Sequence, residues 1–486
     1  MSLAQRAVAS VSWNLGTNLI KIVVLLVRSI LLARLLPVET FGVYALATAI
    51  VTFSGILPNW GMGSAFLHRA PETADENHAA AVHFTLRLAL TAVWLAAVLA
   101  LSLWLAGDPL RTALVVLALV FAGLYLVDTP KAILVRRVQH RRLAMLDLLA
   151  ALATTVVAVA LAARGFGLWA LLATDIVTLA LLAGGLYLWR PVWRPRLLWA
   201  RDTVAYYLRF GSRAMAESAL SEALDNVDDL WTGTYLGTQA LGFYSRAYTF
   251  ATYPRRLLAM PVNAVAGGAY AELKTERLGL SQAFFRTNAL LVRSGFLLGG
   301  LLVLLAPEFV RLALGERWLP MVPAFRLMAV FTLLDPLRVT VSSLFVAVGR
   351  PGQVVRVRAL QVAALVAGLF ALGPRWGITG VAVVVDGVLL LGLGWLLVSA
   401  RAHVDYSMRR LFLAPLLALA AGGAGALSGQ WLACRAGPAI CPNDWLTGLL
   451  KGLLFAALFA ATLWMLERQA AVGMLGQLRD LRRPRP

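Results

Sequence analysis

Ten of the side chains able to carry charge or hydrogen bonds in two largely apolar stretches of this chain stand out. Asn14, Asn18, Lys21 and Arg28 lie in 11–33, and Glu217, Ser221, Glu222, Asp225, Asp228 and Asp229 lie in 211–232. On a helix turning about 100° per residue, the first four share one narrow stripe. Glu217, Ser221, Asp225 and Asp228 share a second, with Glu222 and Asp229 on its flank. The chemistry open to such stripes is recognition of ions. A guanidinium presents two parallel N–H donors to a phosphate or carboxylate, so a basic wall implies an anionic cargo.

More basic residues fall inside apolar stretches: Arg87, Arg246, Arg255, Arg256, Arg293, Arg326, Arg338 and Lys451. Arg246 and Lys451 stand near stretch ends, where long side chains reach the headgroups. Arg255 and Arg256, beside Pro254, and Arg293 sit deeper. The candidate substrate-binding cations are therefore Lys21, Arg28, Arg255, Arg256, Arg293 and Arg338. Glu222, Asp225, Asp228 and Asp229 are the candidate cavity carboxylates, with Asn14 and Asn18 as further polar lining.

Magnitude decides between lipid and water for these groups. An ionised side chain at the centre of a bilayer costs about 2.5–3.5 kcal/mol on insertion scales. The five carboxylates of 211–232 facing lipid would together cost more than ~12 kcal/mol, comparable to the whole stability of a domain. They must face water, one another or cations. For Glu217 a purely structural reading competes, since Arg209 and Arg213 lie close behind it in the chain. The deeper acids point to a hydrated cavity, acidic on one wall and basic on the other.

The elements that must hold these residues follow from composition. Of 486 residues, 60% are hydrophobic and 14% charged, against about half and a quarter in a soluble domain. This is an all-α polytopic membrane protein. Apolar stretches long enough to span a bilayer occur at 11–33, 43–66, 83–106, 112–135, 143–163, 168–189, 211–232, 243–266, 284–305, 321–347, 359–373, 378–400, 411–432 and 445–466, which predicts fourteen spans. With the N-terminus inside, the inside connections hold 27 Lys and Arg and the outside ones 7. That asymmetry is the positive-inside rule at work and puts both termini in the cytoplasm. The first span carries Asn, Lys and Arg and has no small-residue cleavage site after it, so it reads as retained.

The chain also repeats itself. Leu36-Pro37-Val38-Glu39-Thr40-Phe41-Gly42-Val43-Tyr44 aligns with Leu236-Gly237-Thr238-Gln239-Ala240-Leu241-Gly242-Phe243-Tyr244; Asp128-Thr129-Pro130-Lys131 aligns with Asp335-Pro336-Leu337-Arg338; Asp175 aligns with Asp386. The offsets grow from 200 through 207 to 211. Six spans per copy make parallel repeats, related by a pseudo-two-fold along the membrane normal, with the substrate site between halves. The expected organisation is an N-terminal lobe over 1–206, a C-terminal lobe over 207–405, and two appended helices with a basic tail over 406–486.

Several function classes are excluded or disfavoured. The connections are too short for a folded catalytic domain, and there is no P-loop, HExxH or dinucleotide fingerprint, so no enzyme, cofactor or direct ATP drive is expected. The five His offer no metal cluster. The net charge of +20 is spread over connections rather than gathered on a soluble face, which argues against nucleic acid and for topology and contact with membrane lipids. Cys434 and Cys441 share the last outside connection, where a structural disulfide is expected.

Leu32-Ala33-Arg34-Leu35-Leu36-Pro37 followed by Phe41-Gly42-Val43-Tyr44 resembles the opening of Wzx-type polysaccharide flippases of the MOP exporter superfamily. So do Gly61-Met62-Gly63-Ser64-Ala65, Gly165-Phe166-Gly167-Leu168-Trp169-Ala170, Leu241-Gly242-Phe243-Tyr244-Ser245-Arg246-Ala247 and Gly315-Glu316-Arg317-Trp318. Gly349-Arg350-Pro351 and Trp376-Gly377-Ile378-Thr379-Gly380-Val381-Ala382 continue the match, which covers about residues 1–400 in order. The resemblance implies two six-helix lobes around a cavity. It implies movement of an undecaprenyl-pyrophosphate-linked oligosaccharide to the outer leaflet of the bacterial cytoplasmic membrane, for lipopolysaccharide or exopolysaccharide. Ion-coupled alternating access would drive it, with a proton or sodium on the carboxylates, and a polysaccharide polymerase and chain-length proteins as partners. No residue list carries over from the family. The alternatives are a multidrug/cation antiporter, which the arginine content opposes, a lipid II flippase, and a membrane glycosyltransferase or polymerase, which the short outer connections oppose.

Overall fold

The computed structural model describes residues 3–69, 75–105, 107–436 and 443–481, with the side chains of 3–15, 105, 213, 257–261, 264, 265, 332 and 469–481 outside the description. No strand occurs among the described residues. A helix bonds its own backbone, which is what a chain in hydrocarbon requires. The helices are α1 (Leu3–Leu35), α2 (Val38–Ser54), α3 (Ile56–Asn59), α4 (Met62–His68), α5 (Glu76–Leu105), α6 (Leu110–Arg136), α7 (His140–Ala163) and α8 (Leu168–Ala183). They continue as α9 (Arg201–Trp231), α10 (Thr238–Glu272), α11 (Arg277–Phe309), α12 (Val322–Ala347), α13 (Pro351–Ala400), α14 (Met408–Ala436) and α15 (Asp444–Leu481). Ten helices among the described residues are long and apolar enough to cross a membrane. The charged α1 and α9, and α10, are not among those ten.

One departure from the expected spans has a physical cause. The stretch 43–66 is broken into α2, α3 and α4, because Trp60 (φ 35°) and Gly61 (φ 61°) turn left-handed between the last two. The stretches 359–373 and 378–400 form two separate helical arms of α13, as expected; they meet at a kink at Gly377, whose φ of 56° and ψ of −140° suit a residue without a Cβ.

The chain forms two compact units. The first comprises Met1–Arg246 and Arg358–Val384. In it α1 packs on α7, α7 on α8, α5 on α6, and α2 on α6 and α9. Its interior includes Trp94, whose Nε1 donates to Ser54 Oγ at 2.9 Å, beside Val51 and Leu117. Here the repeat is visible as a contact made twice. A Cβ on Gly42 would stand 1.6 Å from the Thr238 carbonyl oxygen, and one on Gly242 would stand 2.2 Å from the Val38 carbonyl oxygen. Positions 38 and 238, like 42 and 242, are 200 apart, so the two starts of α2 and α10 meet as a local two-fold requires.

The second unit comprises Ala247–Val357 and Val385–Pro486. In it α11 packs against α12, α14 and α15, and α14 against α15, around Phe296, Leu337, Phe345 and Phe455. The buried Lys451 of α15 pairs with the buried Glu308 of α11. Lys451→Met leaves that carboxylate alone, a defect of about 3–5 kcal/mol for a buried pair. The expected result is an unfolding temperature lowered by several degrees, largely restored in Lys451→Met/Glu308→Leu; an unchanged single variant would refute the role of the pair.

The turn from α13 to α14 carries a pH response. Arg277 donates to both carboxylate oxygens of Asp405, at 2.9 and 2.7 Å, which holds the Asp405 carboxyl below its usual range. Burial, with Arg350 and Arg277 nearby, holds His403 below the ordinary imidazole value. The Asp405 contribution is present above the ordinary carboxylate value and lost as pH falls through the depressed one. The His403 contribution is present above the unfolded value of about 6.5 and declines below it, as the unfolded chain gains a proton first. Both act in one direction. Thermal unfolding between neutral and mildly acidic pH should fall less steeply in His403→Gln than in the wild type.

Candidate substrate and ion sites

In the first unit a cavity of about 350 Å³ opens between α3, α5, α6 and α9, with Asn59, Arg87, Asp128, Lys131, Ser218 and Glu222 among its lining. Ser218 and Glu222 are one helical turn apart on α9, so one face of that helix reaches it. Arg87 is almost fully buried; its Nη2 donates to Asp128 at 2.6 Å and to Asn59 Oδ1 at 2.7 Å. Lys131, one turn along α6, stands 3.7 Å from the other Asp128 oxygen. The carboxylate is thus held by two cations from two helices, with its outer side open to the cavity. A volume near 350 Å³ is at the lower end for ligand pockets.

The second unit carries the repeat-related arrangement. Asp335, 207 residues after Asp128, is fully buried and takes a hydrogen bond from Arg338 Nε at 2.7 Å, the same i,i+3 spacing. Arg255 of α10 makes an ion pair with its other oxygen at 2.8 Å. Of the expected cations, Arg255 and Arg338 are therefore brought together on one acid. Arg256 lies over the Tyr253 ring, 5.6 Å from its centre. Arg293 is elsewhere in that unit, with its Nε donating to Glu467 at 2.7 Å.

The stripe on α1 meets α7. Lys21 Nζ lies 3.5 Å from Asp147 Oδ2, beside a cavity of about 260 Å³ that Asn18 and His140 also line. Two turns on, Arg28 Nη1 donates to Thr154 Oγ1 at 2.9 Å. The side chain of Asn14 lies outside the description. On α9, Arg358 Nη1 donates to Glu217 at 3.1 Å. Asp147 and Arg358 are 211 apart, the offset of Asp175 and Asp386. So the first helix of each repeat is tied by an ion pair to the fifth, with the signs exchanged.

The remaining acids of α9 are dispersed rather than gathered. Glu222 takes a hydrogen bond from Asn226 Nδ2 at 3.0 Å and faces the first cavity. Asp228 is buried and accepts from Tyr244 Oη at 2.5 Å. Asp229 lies in the field of Arg246, and Asp225 is exposed on the helix face. Tyr44, the repeat mate of Tyr244, donates to Asp175 Oδ2 at 2.7 Å. Cys441 lies outside the described residues, as does the pairing expected with Cys434.

Sequence reasoning placed Arg87 in a span and Asp128 in a repeat motif without joining them. Their pairing crosses 41 residues, beyond the reach of helical periodicity. The available clue was that both Asp128 and Asp335 have a basic residue three positions later.

Comparison with known proteins bears on this arrangement. The chain is 25% identical over 358 residues to the lipopolysaccharide biosynthesis protein WzxC of Escherichia coli, covering 72% of each chain. It is 26% identical over 313 residues to the succinoglycan biosynthesis transport protein ExoT of Rhizobium meliloti, covering 62% of this chain and 60% of that one. Its fold matches the lipid II flippase MurJ in an inward closed conformation with a TM-score of 0.73 at 12% identity, over 96% of this chain and 100% of that one. An inward-facing multidrug resistance MATE family transporter of the MOP superfamily matches with a TM-score of 0.60 at 17% identity, over 81% of this chain and 98% of that one. A family model described as polysaccharide biosynthesis protein matches residues 31–323. With that match over more than half its length, and a fold like that of those two structures, the chain belongs to the polysaccharide biosynthesis protein family, as a multi-pass membrane protein.

Proposed function

We propose that this protein is a flippase that moves an undecaprenyl-pyrophosphate-linked oligosaccharide from the inner to the outer leaflet of a bacterial cytoplasmic membrane, with both termini in the cytoplasm. The observation that carries the reading is the pair of repeat-related clusters, Arg87·Asp128·Lys131 and Arg255·Asp335·Arg338, whose residues all fall in the apolar stretches expected to span the membrane. Charged groups held there at a cost of about 2.5–3.5 kcal/mol each need a task. Binding a diphosphate is one that arginine's paired donors suit. Lys21 and Asn18, which line the smaller cavity beside Asp147, Arg28 and Arg256 remain candidate contacts for the anionic cargo, as does Asn14 from the sequence alone. Arg293 is tied to Glu467 instead.

In this reading Asp128 and Asp335 hold the places of the anionic group: they balance the cations in its absence, and an arriving diphosphate takes over those donors. Glu222, Asp225, Asp228 and Asp229 carry the coupling ion during alternating access, and no group on the chain acts as a chemical catalyst. The lobes are 1–206 and 207–405, with 406–486 appended. A polymerase and chain-length proteins take the product onward.

The test is a sealed proteoliposome assay with a fluorescent polyprenyl-diphosphate oligosaccharide and a quencher outside. The wild type should move the label between leaflets, and Arg87→Gln and Arg255→Gln should each slow it by about tenfold or more, given roughly 1.5–3 kcal/mol for a charged hydrogen bond. No movement by the wild type, or full rates in both variants, would overturn the assignment.

A further inference from the structure

A cavity of about 1,020 Å³ in the second unit belongs to neither charge cluster. It opens between α11, α14 and α15 at the level where two spans end, since the membrane stretches of α14 and α15 run over Met408–Arg435 and Asp444–Arg468. Its rim carries Arg409, Arg410 and Arg468. Among the described residues no carboxylate stands within ion-pair distance of any of the three. Deeper in, Arg293 and Glu467 neutralise one another, at the point where α15 leaves helical geometry (φ −119°, ψ 16° at Glu467). The rim is therefore strongly basic and the interior neutral.

The wall below the rim is apolar and open. Leu413 and Leu417 are 41% and 46% exposed, and Met465 is 71% exposed. Arg409, Leu413 and Leu417 follow at intervals of four, so a cation stands above two leucines on one helix face, over about 12 Å of rise. A free phosphate would use the rim and leave that wall bare. A neutral lipid would use the wall and bring no anion to the three cations, of which, among the described residues, only Arg468 has an aromatic partner, the Trp464 ring 5.3 Å away. An anionic lipid uses both.

We propose that this cavity is a binding site for an anionic glycerophospholipid of the leaflet in which α14 begins, its phosphate on Arg409, Arg410 and Arg468 and an acyl chain along Leu413 and Leu417. The occupant is a membrane phospholipid rather than the transported one, because neither Arg255, Asp335 nor Arg338 lines the site. The proposal requires only that the chain lies in a membrane, so it stands or falls independently of the cargo. Each basic residue near an anionic surface contributes about a fivefold factor in affinity, and helix-lined basic pockets at this depth are suited to anionic headgroups.

The experiment uses the full chain purified in neutral detergent and native mass spectrometry. It is titrated with phosphatidylglycerol and phosphatidylcholine in separate arms, and in a third arm undecaprenyl diphosphate is added to the phosphatidylglycerol-bound protein. The wild type should retain phosphatidylglycerol over phosphatidylcholine by about tenfold or more. Arg409→Gln/Arg410→Gln/Arg468→Gln should lose that preference while unfolding at the wild-type temperature in neutral detergent. The corresponding triple lysine variant should keep most of it. Equal retention of the two phospholipids, an unchanged preference in the glutamine variant, or displacement of phosphatidylglycerol by a tenfold lower concentration of undecaprenyl diphosphate would each overturn the proposal; the last would give the site to the substrate.

Discussion

Gly42→Ala and Gly242→Ala are each expected to leave almost no folded protein in the membrane fraction. A methyl group at position 42 would fall 1.6 Å from the Thr238 carbonyl oxygen, and at 242 it would fall 2.2 Å from the Val38 carbonyl oxygen. Both obstacles are backbone, so no side chain can turn aside; two helix starts would have to separate. Overpacking that forces backbone shifts costs about 1–3 kcal/mol and sometimes more, and here the displaced contact joins the starts of α2 and α10. Gly387→Ala is the control, since a Cβ there meets nothing within 4 Å. Fluorescence-detected size exclusion should show the monodisperse peak lost in the first two variants and kept in the third. A normal peak for both would mean that the close approach is dispensable.

Asp335→Ala carries the second large effect. Its carboxylate is fully buried between Arg255 and Arg338, so its removal leaves two guanidinium groups facing each other without a counter-charge. Breaking a buried pair from one side costs about 3–5 kcal/mol, and two cations share this acid. The variant should unfold well below the wild type and transport nothing. Asp335→Ala/Arg255→Met/Arg338→Met should recover much of the stability, because replacing all the charges removes the mismatch, yet still fail to transport. That split between stability and transport separates a cluster that recognises cargo from one that only holds helices. A triple variant with wild-type transport would assign the cluster to structure alone.

Much of the fold was legible because apolar runs long enough to span a bilayer are hard to read otherwise. The bend at Gly377 fell between two expected spans. Trp60–Gly61 was missed as a break because a left-handed turn inside an apolar run leaves no trace in hydropathy. Within the site, periodicity identified which residues share a helix face. It could not identify the facing helix: Lys21 meets Asp147, 126 residues away, and Glu217 meets Arg358, 141 away. The acidic stripe of α9 illustrates the limit. Four of its positions were read as one wall, but Glu217 and Asp228 are tied to different partners, and Glu222, on the flank, is the one that lines the cavity.

Water access to the α9 face is the most direct measurement. In a chain whose Cys434 and Cys441 are replaced by serine, Ser218→Cys sits in the lining of the first cavity, and Ala158→Cys sits fully buried on α7. Position 218 is predicted to react with a membrane-impermeant thiol reagent from one side of sealed vesicles, and to be protected by lipid-linked oligosaccharide, while position 158 stays unreactive. Complete protection of position 218 from both sides, in a protein that still transports, would contradict the account.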